Sequence, residues 1–333
     1  MMDRREVIAS ISGVALTWTR LAGAQPARKV ARIGMISIGG PSTDMTGPQP
    51  RNRNAGAFLR GMDELGYVYG RDFVTEPRGT DGMPERVPSM VAELVGLKVD
   101  IIVATGGGAT LSLLKQATTT IPIVMTASPD PVGQGLVQSL ARPGGNLTGM
   151  SMQSLEVTGK RLELLKELVP GAETVAAFWD STSSEFWSAA QAGGRARGWK
   201  LLPIEIRDAG EIPAAFKTAS DAGAGALLIP ASGVLFSRAR QIVELAALMR
   251  LPAMYELRPF VDIGGLVSYA PNIEGIWRHA AIYVDKILKG ANPAELPIEQ
   301  PTKFELVINR RAATALGLTI APSILIQADE VIE

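Results

Sequence analysis

The chain has 333 residues, which at about 150 residues per domain corresponds to two domains, each with a core large enough to fold without staples. Hydrophobic residues make up 46% and charged residues 20%, with 33 Lys and Arg against 33 Asp and Glu, so no basic excess supports nucleic acid as a partner. The chain has no cysteine and one histidine, His279, which excludes disulfides, thiolate zinc sites, iron–sulfur clusters, a catalytic thiol and a multi-histidine metal site.

Residues 1–24 read as an export signal peptide. Arg4 and Arg5 lead an apolar run from Val7 to Trp18, and Ala22-Gly23-Ala24 offers small residues for cleavage before Gln25. A run of about 12 apolar residues is too short for the roughly 20 that span a bilayer. The arginine pair matches a twin-arginine signal only in part, because Asp3 precedes it, and the export route stays open. No later stretch is apolar over the roughly 18 residues of a membrane helix, so a soluble product in the periplasm is expected.

From Lys29 short β-rich runs alternate with helical periods, the pattern of parallel βαβ construction. Strands are expected at 30–37, 73–76, 99–104 and 121–126, with helices at 54–65, 84–97, 109–117 and 135–141 and an extended exit at 147–151. The same order then begins again. It runs through helix 159–168, strand 174–179, helix 184–198, strand 200–206, helix 212–222, strand 226–229, helix 236–249, and strands 253–255 and 266–269. Residues 276–288 form a long amphipathic helix with Ile276, Ala280, Tyr283, Val284 and Ile287 in register. A proline-bearing linker, 293–301, leads to a last strand at 304–308.

In open parallel sheets a ligand lies off the carboxyl ends of the strands, so the turns after each strand hold the candidate site. Ser37 and Gly39 close the first strand. Thr105, Gly106, Gly107, Gly108 and Thr110 follow the third, where glycines let backbone N–H groups approach an anion at a helix N-terminus; a tight turn without a ligand is the alternative. Ser128 and Asp130 follow the fourth strand, with a turn or capping role equally open to Asp130. In the second half Trp179, Asp180 and Ser181 end a strand, and Asp180 either meets a ligand ammonium or caps the helix near Ser184. Ser232, Tyr255, Glu256 and Tyr269 complete a set of aromatic, hydroxyl and carboxylate groups of the kind a small polar metabolite needs.

Catalysis and nucleotide binding lack a warrant. No G-x-G-x-x-G opens a helix after the first strand, and neither G-x-x-x-x-G-K-[ST] nor G-x-S-x-G occurs. His279 lies within a helix away from any strand end and reads as a surface or groove histidine. Lys160 and Arg161, with Glu163, Lys166 and Glu167, read as a solvated helix face. No catalytic residue, metal or cofactor is assigned.

Several blocks carry a family resemblance. They include Gly61-Met62-Asp63-Glu64-Leu65-Gly66-Tyr67, Leu97-Lys98-Val99-Asp100-Ile101-Ile102-Val103-Ala104, Asp130-Pro131-Val132-Gly133, Ala141-Arg142-Pro143-Gly144-Gly145-Asn146-Leu147-Thr148-Gly149 and Gln300-Pro301-Thr302-Lys303-Phe304. From about Ile33 to Ile332 the chain resembles the solute-binding proteins of bacterial ABC uptake transporters, in the family that includes tryptophan/tyrosine-type binding proteins. The resemblance implies an α/β type I periplasmic binding protein: two Rossmann-like lobes with parallel sheets, 29–148 plus 273–300 and 149–272 plus 301–333, joined by a three-segment hinge. It further implies a small-molecule ligand in the cleft, with its carboxylate on the turn from Thr105 to Thr110. The expected partner is an inner-membrane permease with a separate ATPase, served by a monomer. A ligand-sensing module of the same fold, and more remotely an enzyme using the cleft, are the alternatives.

Overall fold

The computed structural model describes residues 29–333 except 39, 82, 106, 153, 154 and 182. Residues 1–24, expected to be an export signal, and Gly39 and Gly106 therefore lie outside the described residues. The first half runs β1 (Ala31–Ser37), α1 (Arg53–Glu64), β2 (Phe73–Gly79), α2 (Val87–Gly96), β3 (Ile101–Thr105), α3 (Gly108–Ala117), β4 (Ile123–Ala127) and β5 (Leu147–Gly149). Its strands form one parallel sheet in the order β2-β1-β3-β4-β5. The central strands are buried on both faces, which is why they read as continuous apolar runs such as Ile101-Ile102-Val103-Ala104.

The second half runs α4 (Thr158–Leu168), β6 (Thr174–Trp179), α5 (Ser184–Arg195), β7 (Lys200–Glu205), α6 (Ile212–Asp221), β8 (Ala226–Ile229), α7 (Gly233–Ser237), α8 (Ala239–Leu248), β9 (Ala253–Tyr255), α9 (Pro259–Asp262) and β10 (Val267–Pro271). The chain then continues through α10 (Ile273–Leu288), β11 (Phe304–Asn309), α11 (Arg310–Leu316), α12 (Pro322–Gln327) and β12 (Glu330–Ile332). The second sheet has the order β12-β11-β10-β9-β8-β6-β7 and is parallel except where β11 meets β10 antiparallel. Two lobes result, each a sheet covered by helices on both faces.

Although α10 follows the second lobe in sequence, it packs on the first. Ile276, Trp277, Ala280, Ala281, Tyr283 and Val284 join Phe58 and Met62 of α1 and Ile33 and Met35 of β1 in one buried cluster. Gly61 makes this approach possible: a Cβ there would stand 2.4 Å from the Arg278 carbonyl oxygen. Strand β11 returns to the second sheet, so the chain passes between lobes after β5, after β10 and before β11. The first and last passages run side by side, with Glu299 N–H donating to Gly149 O (3.1 Å) and Ser151 N–H to Glu299 O (2.9 Å). At the remaining passage Asn272 caps α10 through Gly275 N–H (2.6 Å) and donates to Glu305 (2.7 Å).

Some elements depart from the sequence expectation. Residues 135–141 are not helical: Gly135 is left-handed at φ 67°, and Gln138 N–H closes a loop onto Pro143 O. The helix expected at 236–249 is two helices, because Arg238 leaves helical geometry (φ −116°, ψ 22°) and Ser232 starts α7 earlier by accepting from Leu235 N–H. Helices α9, α11 and α12 and strand β12 were not expected; Gly317 in the left-handed region ends α11, and Pro322 opens α12.

Candidate functional site

The passages between lobes leave from the carboxyl ends of β5 and β10, so both sheets turn their carboxyl edges toward the same junction. Leu257, two residues past the end of β9, packs against the α1/α10 core of the first lobe as well as the core of its own. The strand-end turns of the two lobes thus face one another across this junction.

On the first lobe, Ser37 is buried and its carbonyl accepts from Thr80 N–H (3.2 Å). The Thr105 and Thr126 hydroxyls share a hydrogen bond, and Thr126 Oγ1 also donates to Ala104 O (3.2 Å). Gly107 is the exposed N-cap of α3 at φ −65°, ψ −178°, and no side chain caps the helix. A Cβ at Gly107 would meet nothing within 4 Å, whereas one at Gly108 would stand 2.9 Å from the Gln134 side chain. Thr110 is buried within the first turn. Ser128 is wholly buried, with its hydroxyl 3.4 Å from Gln134 Oε1. Gln134, to which no sequence motif points, therefore lies between the turns after β3 and β4.

Asp130 is committed to a turn. Its Oδ1 accepts from Gly133 N–H (2.8 Å), and a Cβ at Gly133 would stand 2.0 Å from Oδ2, so a side chain there would displace this carboxylate. The turn accounts for one oxygen of this carboxylate.

On the second lobe Asp180 is 2% exposed. The Ser183 hydroxyl accepts from Asp180 N–H (2.9 Å) and stands 3.1 Å from Asp180 Oδ1, so the carboxylate folds onto the turn and does not cap α5. Ser181 beside it is exposed. Trp179 Nε1 is buried without a hydrogen-bond partner among the described residues. Ser232 is buried as the N-cap of α7, 3.2 Å from Leu235 N.

Tyr255 departs from the sequence expectation of a ligand contact. Its ring is 1% exposed and stacks on Phe260 at 4.9 Å and 10° within the apolar core of the second lobe, so it offers no face to a ligand. Burial raises its phenol above the usual tyrosine range. Tyr269 likewise stacks its ring on Phe304, at 5.7 Å.

Arg161 departs in the same way. Far from lying on a solvated face, it is wholly buried. Its Nε donates to Tyr269 O (2.8 Å), Nη1 to Thr158 Oγ1 (3.4 Å), and Nη2 stands 3.7 Å from Glu256 Oε1. Glu256, 5% exposed, accepts from Ala231 N–H through its other oxygen (2.6 Å). Burial lowers the Arg161 pKa from its usual value, and the facing Glu256 carboxylate counters that effect. His279 is partly exposed, 2.8 Å from Glu299 Oε2 beside the paired passages.

Two cavities, of about 470 and 190 Å³, lie on the first lobe, one against Leu59, Tyr67 and Tyr69 and the other against Lys115 and Gly144. No candidate strand-end residue lines either, so strand-end chemistry and not cavity size defines the site. Among the described residues no cluster of His, Asp and Glu is placed to hold a metal, and no helix is long and apolar enough to cross a membrane.

The family model for ABC transporter substrate binding proteins matches residues 48–332. The chain belongs to this family. A substrate-binding relative, the tyrosine-binding protein of Clostridioides difficile (strain R20291), is 25% identical over 266 residues, covering 78% of this chain and 75% of the relative. An ABC domain from Streptococcus pneumonia crystallised with L-Trp matches at a TM-score of 0.80 and 25% identity, over 91% of this chain and all of the other. A conserved domain protein from Vibrio cholerae O1 biovar El Tor shares the fold at a TM-score of 0.81 and 24% identity, over the same shares. This ABC substrate-binding protein thus has the type I periplasmic binding fold, with parallel-dominated sheets in two lobes.

Proposed function

We propose that this protein is the exported, periplasmic solute-binding component of an ABC uptake system, capturing a small carboxylate-bearing metabolite, an amino acid or close relative, between its lobes. The observation that carries the reading is the juxtaposition of two sets of polar strand-end turns at a junction crossed by three passages, in a chain of the substrate-binding family. The first lobe comprises 29–148 plus 273–300 and the second 149–272 plus 301–333. The uncapped start of α3 at Gly107 suits a carboxylate, because unpaired N–H groups and the helix dipole both favour negative charge there. Asp180 is the acidic group at the opposing edge that suits an ammonium. Ligand held by one lobe favours closure because only the closed form lets both lobes touch it. The closed monomer then docks on a membrane permease powered by a separate ATPase, and no chemistry is performed on the ligand.

The relatives' tyrosine and L-Trp make aromatic amino acids the first compounds to test. Residues 25–333 are screened by thermal shift against amino acids, other carboxylates, nucleosides and sugars. A ligand at 100 times its Kd stabilises by about 2.7 kcal/mol. The expected result is a shift with an amino acid or related carboxylate and recovery of the compound unchanged. A shift only with sugars or nucleosides would overturn the carboxylate assignment, and consumption of the compound would overturn the binding-protein reading.

A further inference from the structure

We infer that Arg161 is a positioning residue that holds the strand-end turns of the second lobe in place, with Glu256 as its buried counter-ion and not a ligand contact. The inference rests on the reading that those turns form half of the binding surface. One guanidinium reaches two neighbouring strands: Nε holds the Tyr269 carbonyl within β10, and Nη2 faces Glu256, the first residue after β9. Through the second Glu256 oxygen the link extends to Ala231 N–H in the turn after β8, next to Ser232, which caps α7. At the other end Nη1 reaches Thr158, the first residue of α4, where the chain enters the second lobe from β5. Arg161 therefore ties the entry helix to β10 and, through Glu256, to the turns after β9 and β8.

Strand register places these groups together. Ala177, Met254 and Val267 form a row across β6, β9 and β10 on the face covered by α4 and α5. Two residues further on, toward the carboxyl edge of the same face, stand Trp179, Glu256 and Tyr269, and Arg161 of α4 reaches the last two of these. A buried ion pair is a poor source of stability, since apolar side chains of similar volume serve as well or better. What the pair supplies that apolar side chains cannot is directed bonding to the Tyr269 carbonyl and the Ala231 amide, and so a fixed arrangement of the turns. Both Glu256 oxygens are engaged within the lobe.

The test uses residues 25–333 carrying either Arg161→Lys, which keeps a charge beside Glu256 but cannot span all the acceptors, or the double change Arg161→Met with Glu256→Leu, which removes both charges. Hydrogen exchange is followed at a fixed interval below each variant's Tm. The expected result is exchange at least tenfold faster in segments 229–236 and 268–272, with β1 and β3 unchanged, while the double variant keeps a Tm near that of the parent. Affinity for L-tyrosine and L-tryptophan, the probes used, should fall at least tenfold in both. Parental exchange in these segments in either folded variant would overturn the inference and leave the pair a simple counter-charge. If the parent binds neither probe, the aromatic amino-acid ligand fails on its own, and the exchange data still decide the role of Arg161.

Discussion

Gly107 is the position where a single atom group separates the proposed ligand contact from the fold. Its φ of −65° is open to any residue, and a Cβ would meet nothing within 4 Å. Aspartate is moreover a favourable N-cap, and a negative charge at a helix start contributes about 0.3–1 kcal/mol. Gly107→Asp should therefore leave Tm unchanged or raise it slightly, while the new carboxylate takes the N–H groups that a ligand carboxylate needs. Titration calorimetry of the variant should show binding of a carboxylate ligand abolished; parental affinity would remove the α3 start from the site. The strand-end rule places Thr105, Ser128, Asp180, Ser232 and Glu256 at or just after strand ends, because the strands before them are recognisable in the sequence. It misjudged Tyr255, which stands two residues after Ala253 on the same core-facing side, so the pleat turns its ring inward. Arg161 was hidden by its charged neighbours, although the helical period sets it on the face of Leu165 and Leu168, which are buried. Gln134 carries no sequence signal: only the packing of two separate turns brings it over Gly108.

Between elements, the crossing of α1 and α10 decides which lobe the late helix joins. Gly61 allows it, since a Cβ there would stand 2.4 Å from the Arg278 carbonyl oxygen and 2.9 Å from Ala281 Cβ. Alanine is intrinsically better than glycine in a helix by about 1 kcal/mol, but overpacking costs about 1–3 kcal/mol, and backbone cannot rotate aside as a side chain can. Gly61→Ala should lower stability by up to about 2 kcal/mol in urea unfolding. Gly96, in the last turn of α2 with open space around it, provides the control, where alanine should be neutral or stabilising. A stabilised Gly61→Ala variant would mean that the helices do not approach this closely. The order of elements was legible because apolar runs and amphipathic periods survive any tertiary arrangement. Helix starts were less so: Asn52 and Asn272 cap α1 and α10 through Ala55 and Gly275 N–H, and the apolar period begins only after those caps. The antiparallel return of β11 was not legible, because strand direction depends on where a long connection lands.

At the scale of the whole molecule, the edges that carry the passages determine where closure moves the chain most. Strand β5 closes one edge of the first sheet, and β10 and β11 lie toward one side of the second; β2 and β7 are edges on the other sides. Glu85 and Arg207 follow the carboxyl ends of β2 and β7, both exposed, on the sheet edges opposite those that carry the passages. The chain contains no cysteine, so Glu85→Cys with Arg207→Cys gives two unique labelling sites without further change. Both replaced groups are surface charges, which contribute little to stability. A ligand can move the lobes only to the extent that it binds the closed form more tightly, and passing from 1:99 to 99:1 requires a preference of about 10⁴-fold. A saturating ligand from the thermal-shift screen should therefore convert a broad or long-distance transfer distribution between the labels into a short-distance one, in proportion to occupancy. With Gly107→Asp in the same chain the shift should disappear at ligand concentrations that close the parent. An inter-label distance that stays fixed while calorimetry reports full occupancy would mean that the paired passages at Gly149, Ser151 and Glu299 act as a rigid strut, and that a filled site is not signalled by movement of the lobes.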